Sequence, residues 1–330
     1  MGVREEALRV IRRRIERGQP LYDFTGLASR ARVEAAPDEV RTYLSEALIL
    51  PEVKEACREH FEAPECDVVV GSRTTGLVIA AVLALEPERV LHVLPEGGEA
   101  HPCVERGCEL VGAEYVEVEG LEEDPEEFDL VVVTGCDVSW RVIDEEVLER
   151  VGGAEVPSLL DDASGDRVRR LHGQRPGPAY GFDLVVTSCD KLMEGPRCGV
   201  LVGEPELVDR VRRVCEELGW TVDGPTLAAV RAAFERFDLE RLRERLDGID
   251  VVVEGLSGVV EVERTGAGVV LEVEDPVEVG MELLREHGIM TIPVLGYPGV
   301  SRELRLNLLT EDAERFGYGR LVEVLRGVLG

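Results

Sequence analysis

Asp183-Leu-Val-Val-Thr-Ser-Cys-Asp-Lys-Leu-Met-Glu-Gly-Pro-Arg-Cys-Gly-Val-Leu-Val-Gly203 holds two short apolar runs, Leu184–Thr187 and Val200–Val202, on either side of a polar, glycine-bearing loop. Neither run alternates apolar with polar residues, so each reads as a strand covered on both faces. Upstream, β-rich runs of similar length recur at Asp67–Val70, Arg89–Val93, Glu114–Val118, Leu130–Val133 and Ser158–Leu160, with helical segments between them. Strand–helix alternation of this kind predicts an α/β architecture with a mostly parallel sheet and helices on both faces.

The flanks read differently. Ala7, Leu8, Ile11 and Ile15 give residues 3–17 one apolar face, and two further helical stretches follow near 38–48 and 51–61. Beyond the strand at 200–202, helices are expected at 205–218 and 225–247. A hairpin (259–263 and 268–273), a helix (276–287), strands near 290–292 and 304–308, and a final helix from Glu311 come next. The expected division is an N-terminal helical segment (1–62), a large α/β domain (63–247) and a small C-terminal α+β domain (248–330).

The composition is globular, with 44% hydrophobic and 32% charged residues, which excludes a disordered or fibrous chain. A formal charge of −30 argues against a nucleic-acid partner and matches a surface kept soluble at high salt. Eight cysteines are scattered without a Cys-x-x-Cys or Cys/His cluster, consistent with reduced thiols and no metal site. The N-terminus shows no apolar stretch of signal-peptide or membrane-span length, so the expectation is a cytoplasmic protein with no membrane association. The acidic run Glu119–Glu127 reads as a solvated loop.

Of 37 basic residues, only Lys54 and Lys191 are lysines. A lysine kept in an arginine background suggests a need for its amine, which can deprotonate and attack a carbonyl. Lys191 follows the strand Leu184–Thr187, and in open α/β sheets ligands bind at the carboxyl ends of strands. Two other strand ends carry candidates. Gly71-Ser72-Arg73-Thr74-Thr75-Gly76 opens a helix, where free N–H groups, hydroxyls and Arg73 could seat a phosphate. Its alternative is an ordinary cap at Thr74 or Thr75. Asp161-Asp162-Ala163-Ser164-Gly165 offers a carboxylate beside small residues, or else a simple turn. A phosphate seat, a carboxylate and a lone lysine together suit pyridoxal phosphate, with its phosphate, basic ring nitrogen and aldehyde.

With these residues in place, the stretch Asp161–Gly165 and Asp183–Gly203 resembles the cofactor-lysine region of selenocysteine synthase. It resembles more closely that enzyme's archaeal relatives, a pyridoxal-phosphate-dependent family of uncharacterised function with the aspartate-aminotransferase fold (fold type I). The most specific part is Ser188-x-Asp190-Lys191-Leu192-x-x-Gly195-Pro196. The resemblance implies that Lys191 forms the Schiff base, that Asp162 partners the ring nitrogen with Asp161 as the competing candidate, and that Ala163 lies under the ring. It further implies that Ser188, Arg73, Thr74 and Thr75 hold the phosphate and that His101 stacks on the ring face. In Glu303-Leu-Arg-Leu-Asn-Leu308 it implies that Arg305 grips a substrate carboxylate. For His101 a loop or capping role, and for Arg305 a surface position, remain open.

The activity so implied is β-elimination or β-replacement on a small amino-acid-like substrate, by a transferase or lyase that is at least a homodimer. The alternatives are a selenocysteine synthase acting on seryl-tRNA and a non-catalytic cofactor-binding regulator. By the same resemblance, the bacterial enzyme's large N-terminal tRNA-binding region is expected to have no counterpart of similar length here. Cys189 and Cys198 flank the lysine but read as small packing residues.

Overall fold

A computed structural model describes residues 2–27, 31–296 and 303–330. The chain divides into two compact units. One comprises residues 29–137 and 141–237; the other comprises residues 1–28, 138–140 and 238–330. The boundary thus lies at 237/238, and the expected N-terminal segment 1–62 is not one body. Its first helix, Val3–Glu16, belongs with the C-terminal residues, whereas Thr42–Phe61 belongs with the sheet.

In the larger unit the strands are β1 (Asp67–Gly71), β2 (Arg89–Leu94), β3 (Glu114–Glu119), β4 (Leu130–Thr134), β5 (Ser158–Asp161), β6 (Leu184–Ser188) and β7 (Gly199–Gly203). Its α-helices are α1 (Thr42–Phe61), α2 (Thr74–Leu85), α3 (Cys103–Val111), α4 (Glu145–Gly152), α5 (Gly165–Leu171), α6 (Pro205–Glu217) and α7 (Gly224–Arg236). The strands form one seven-stranded sheet in the order β1-β7-β6-β5-β4-β2-β3. Only β7 runs against the rest.

Alternate residues of these buried strands feed two cores, as the two-residue period of a strand requires. Leu91, Val93, Val131, Val133, Leu160 and Val185 pack with α1, α4 and α7 residues. Val90, Leu130, Val132, Leu159, Leu184 and Val186 pack with α2, α3 and α6 residues. The break expected between residues 48 and 51 is absent. Pro51 lies inside α1, a continuous helix of 20 residues. An interior proline removes one backbone hydrogen bond and costs roughly 3 kcal/mol, and the buried row Ile49, Val53, Cys57 and Phe61 offsets that cost. In contrast, the helix expected at 225–247 stops at Arg236, where Phe237 turns to an extended conformation.

The other unit holds a three-stranded antiparallel sheet, with Gly268–Leu271 between Val262–Arg264 and Leu304–Asn307. Tyr22–Asp23 pairs in parallel with Ile289–Met290. Among the described residues no helix is long and apolar enough to cross a membrane.

Candidate active site

Strands β1, β2, β4, β5 and β6 run in one direction, so Gly71, Leu94, Thr134, Asp161 and Ser188 line one edge of the sheet. Register brings three of the quoted segments together there. Ser188 of β6 is paired with Gly199 of β7, which is paired with Gly71 of β1. Gly199 must be a glycine, because a Cβ at that position would stand 2.7 Å from the backbone N and Cα of Thr74. The N-terminus of α2 is therefore pressed against the start of β7, beside Ser188. Arg73 is the N-cap and has no acceptor with which to cap the helix. Thr74 and Thr75 open the first turn, where backbone N–H groups have no intrahelical acceptor. The geometry suits an anion, with Arg73 adjacent in sequence.

Lys191 sits in a turn spanning Cys189 to Gly195, closed by the Gly195 N–H donating to the Cys189 carbonyl at 2.8 Å. Two non-glycine residues of this turn, Leu192 and Glu194, are held at φ of 60° and 53°. Left-handed conformations cost such residues on the order of 1–3 kcal/mol each and concentrate at functional sites. The Lys191 charge acts on Asp161, His101, Cys103 and Cys136, which gathers the loops after β2, β4, β5 and β6 around it. Burial, followed by this charge, lowers the His101 pKa to about 4, so its imidazole is neutral near pH 7. The other lysine has an ordinary role. Lys54 Nζ donates to Asp67 Oδ1 at 2.6 Å at the opposite end of β1, in a cluster with Arg58 and Arg212.

The two adjacent aspartates have different surroundings. Asp162 is fully buried; Arg169 Nε donates to its Oδ1 at 2.9 Å, and Arg169 Nη2 also donates to its Oδ2. Gly135 and Gly165 clear the space for this carboxylate, since a Cβ on either would overlap Asp162 Oδ1. Among the described residues Asp161 has only weak donors: the Ala163 N–H at 3.3 Å on Oδ1 and the Cys103 thiol at 3.8 Å on Oδ2. Burial pushes its carboxyl pKa up, opposed chiefly by Lys191. A buried carboxylate without a guanidinium partner among the described residues, within the field of a lysine, is a group that a protonated ring nitrogen would satisfy. The expected assignment to Asp162 thus meets a physical obstacle, because both of its oxygens are committed to Arg169.

Ser188 is buried, and its hydroxyl donates to Asp190 Oδ1, while Arg197 Nε lies 3.4 Å from Asp190 Oδ2. In this arrangement the one hydroxyl proton is already committed, leaving Thr74, Thr75, Arg73 and the α2 backbone as the available anion donors. Ala163 is small and partly exposed at the same edge. Arg305, in the other unit, is buried rather than on the surface, with Nη1 donating to Ser139 Oγ at 3.2 Å and its guanidinium 5.8 Å from the Trp140 ring centroid. Cys103, Arg167 and Arg169 were not expected as site residues. Two arginines directly after an Asp-Asp loop are a visible charge signal, but arginine normally marks a surface. Among the described residues, no cluster of histidine, cysteine or carboxylate side chains could hold a metal.

Comparisons with known proteins bear on the fold and the family. The profile of the L-seryl-tRNA selenium transferase family matches residues 174–278, and that of the UPF0425 C-terminal domain matches residues 258–317. Among solved structures, an alanine–glyoxylate aminotransferase from Nostoc sp. superposes with a TM-score of 0.72 at 17% identity, covering 94% of this chain and 96% of that one. An L-threonine transaldolase from Pseudomonas fluorescens gives 0.67 at 17% identity, over 94% of this chain and 77% of that one. The fold is fold type I of the pyridoxal-phosphate enzymes. An L-seryl-tRNA(Sec) selenium transferase from Methylocella silvestris is 30% identical over 56% of this chain and 41% of its own length. A UPF0425 pyridoxal phosphate-dependent protein from Methanothermobacter thermautotrophicus is 38% identical over 98% of this chain and 91% of its own. One from Methanopyrus kandleri is 67% identical, over 100% of this chain and 96% of its own length. The chain belongs to the UPF0425 family of pyridoxal phosphate-dependent proteins.

Proposed function

We propose that the chain is a pyridoxal-phosphate enzyme that eliminates or replaces a group at the β-carbon of a small amino-acid-like substrate, with Lys191 as its catalytic residue. The cofactor, when bound, supplies an electron sink for the substrate's α-carbon. The observation that carries this reading is a strand-end lysine whose charge acts on Asp161, a buried carboxylate that has no guanidinium partner among the described residues.

In this reading the chain's own residues divide the work as follows. Lys191 supplies the amine that binds the cofactor aldehyde, and it is the base positioned to move the α-proton. Asp161, rather than Asp162, holds the proton on the ring nitrogen. His101 stays neutral and offers an uncharged ring face over the cofactor. The α2 N-terminus, Arg73, Thr74 and Thr75 take the phosphate, Ala163 leaves room beneath the ring, and Arg305 orients the substrate carboxylate through a bidentate fork. Chemistry at the β-carbon is supported by the selenium-transferase likeness over residues 174–278. The net charge of −30 supports a small substrate over a tRNA-borne one. Assembly as a homodimer is part of the proposal.

The test is to titrate the cofactor-loaded protein with L-serine, L-cysteine, L-threonine and L-alanine, following the visible cofactor band and the release of 2-oxo acid and ammonia. The reading expects a band shift with several of these, and 2-oxo acid only from those bearing a β-leaving group. A band that shifts with none of them refutes an amino-acid substrate. Shifts without product would favour a regulator.

A further inference from the structure

Arg167 has no assigned role, yet it is among the largest fully buried side chains of the protein. Helix α5 begins at Gly165, with Ser164 between it and the Asp161-Asp162-Ala163 segment, and its third residue is Arg167, whose guanidinium turns back toward the strand ends. Its Nη1 donates to Thr187 Oγ1 at 2.6 Å. Its Nη2 donates to the Ala163 carbonyl at 2.6 Å and to the Ser188 carbonyl at 2.9 Å. The same two segments are also linked by the Ser188 N–H donating to the Ala163 carbonyl at 3.1 Å, and Thr187 Oγ1 donates to the Asp162 carbonyl at 3.1 Å. One planar fork thus joins the loop that ends β5 to the loop that carries Lys191.

A charge buried only for stability would be expected to face its counter-ion squarely. Asp166 Oδ2 stands 3.5 Å from Arg167 Nη1, but it is 2.6 Å from His60 Nε2, while Arg167 Nε makes no hydrogen bond. The short bonds of Arg167 go instead to three oxygens of the two loops. Lysine could not make this set, since it offers a point charge where a rigid fork is needed.

We infer that Arg167 is a positioning residue: it fixes the spacing between Ala163 and Ser188, and thereby the angle at which Lys191 holds the cofactor ring over Ala163. The inference rests on the assignment of Lys191 to the cofactor. Misplacement of reacting groups by about 1 Å can cost two orders of magnitude in rate, so a clamp at this point has leverage without touching the ring.

The experiment uses pyridoxal phosphate itself as the probe. The parent, Lys191→Ala, Arg167→Lys and Thr187→Val proteins are loaded with it. Visible circular dichroism is measured per mole of bound cofactor, alongside the thermal midpoint of each cofactor-free protein. A positioning role predicts that Arg167→Lys still takes up cofactor at Lys191 but loses about half or more of the dichroic signal, with Thr187→Val showing a smaller loss of the same kind. Arg167→Lys protein that folds and shows an unchanged signal overturns the inference, even if its midpoint falls, because only stability has then moved. If Arg167→Lys does not fold, Thr187→Val decides, and an unchanged signal there overturns it equally. A parent band that survives in Lys191→Ala would instead overturn the cofactor assignment on which the inference stands.

Discussion

Arg169 grips Asp162 through both Nε and Nη2, and neither side chain reaches solvent. One residue earlier in the chain, Asp161 shares none of this, and the contrast separates two carboxylates that are indistinguishable by sequence position alone. Asp162 is held in a buried ion pair. Asp161 has its charge available to a ligand, and burial makes that charge costly until one arrives.

The two aspartates therefore respond oppositely to amidation. Asp162→Asn leaves the Arg169 charge buried and short of its partner, and the cofactor-free protein should lose on the order of 3 kcal/mol in urea unfolding. Asp161→Asn removes a buried carboxylate whose pKa is raised, so the cofactor-free protein should be as stable as the parent or more so. Its affinity for pyridoxal phosphate should nevertheless fall by tenfold or more, on the order of 1.4 kcal/mol. Equal effects of the two substitutions on both measurements would remove the distinction.

Gly165→Ala should reproduce the Asp162 defect without changing any charge. The added Cβ would overlap Asp162 Oδ1 at a buried position and force the carboxylate off Arg169. A loss of roughly 2 kcal/mol is expected in the cofactor-free protein. Gly112→Ala is a poor control because of its φ of 80°. Gly327, with open space around its Cα, is the proper one and should change little.

A pH dependence follows from two histidines. Burial lowers the pKa of His92 to about 3 and that of His101 to about 4, below the usual 6.5. Between pH 6.5 and about 4 the unfolded chain binds protons at both positions while the folded chain does not. Their contribution is thus intact above pH 6.5 and is lost as pH falls, by about 1.4 kcal/mol per pH unit for each histidine. His101→Phe should remove one of the two protons from the acid limb of a stability–pH curve. A parent and variant with the same slope between pH 6 and 4.5 would contradict a neutral, partly buried His101.

Much of this was open to reading in the sequence. Unbroken runs such as Leu130-Val-Val-Val133 place a strand within one residue of its end, because burial on both faces leaves no other pattern. Lysine scarcity likewise singles out Lys191 at a strand's carboxyl end, and the structure gives Lys54 an ion pair at the far end of β1. Three things were not legible. Pro51 signals a helix end locally, and only the packed row from Ile49 to Phe61 carries the helix through it. The unit boundary at 237/238 depends on contacts that no local composition reports. The different surroundings of Asp161 and Asp162 depend on Arg169, seven residues past Asp162. Its side chain would be placed on the surface by any propensity, yet it folds back under the loop.

The most direct test of the central claim is to load the protein with pyridoxal phosphate, reduce it with borohydride, digest it and locate the modified peptide by mass spectrometry. The account predicts a single pyridoxyl group on Lys191, with Lys54 unmodified and no stable adduct in Lys191→Ala. Modification at Lys54, or a stoichiometric adduct that persists in Lys191→Ala, would contradict it.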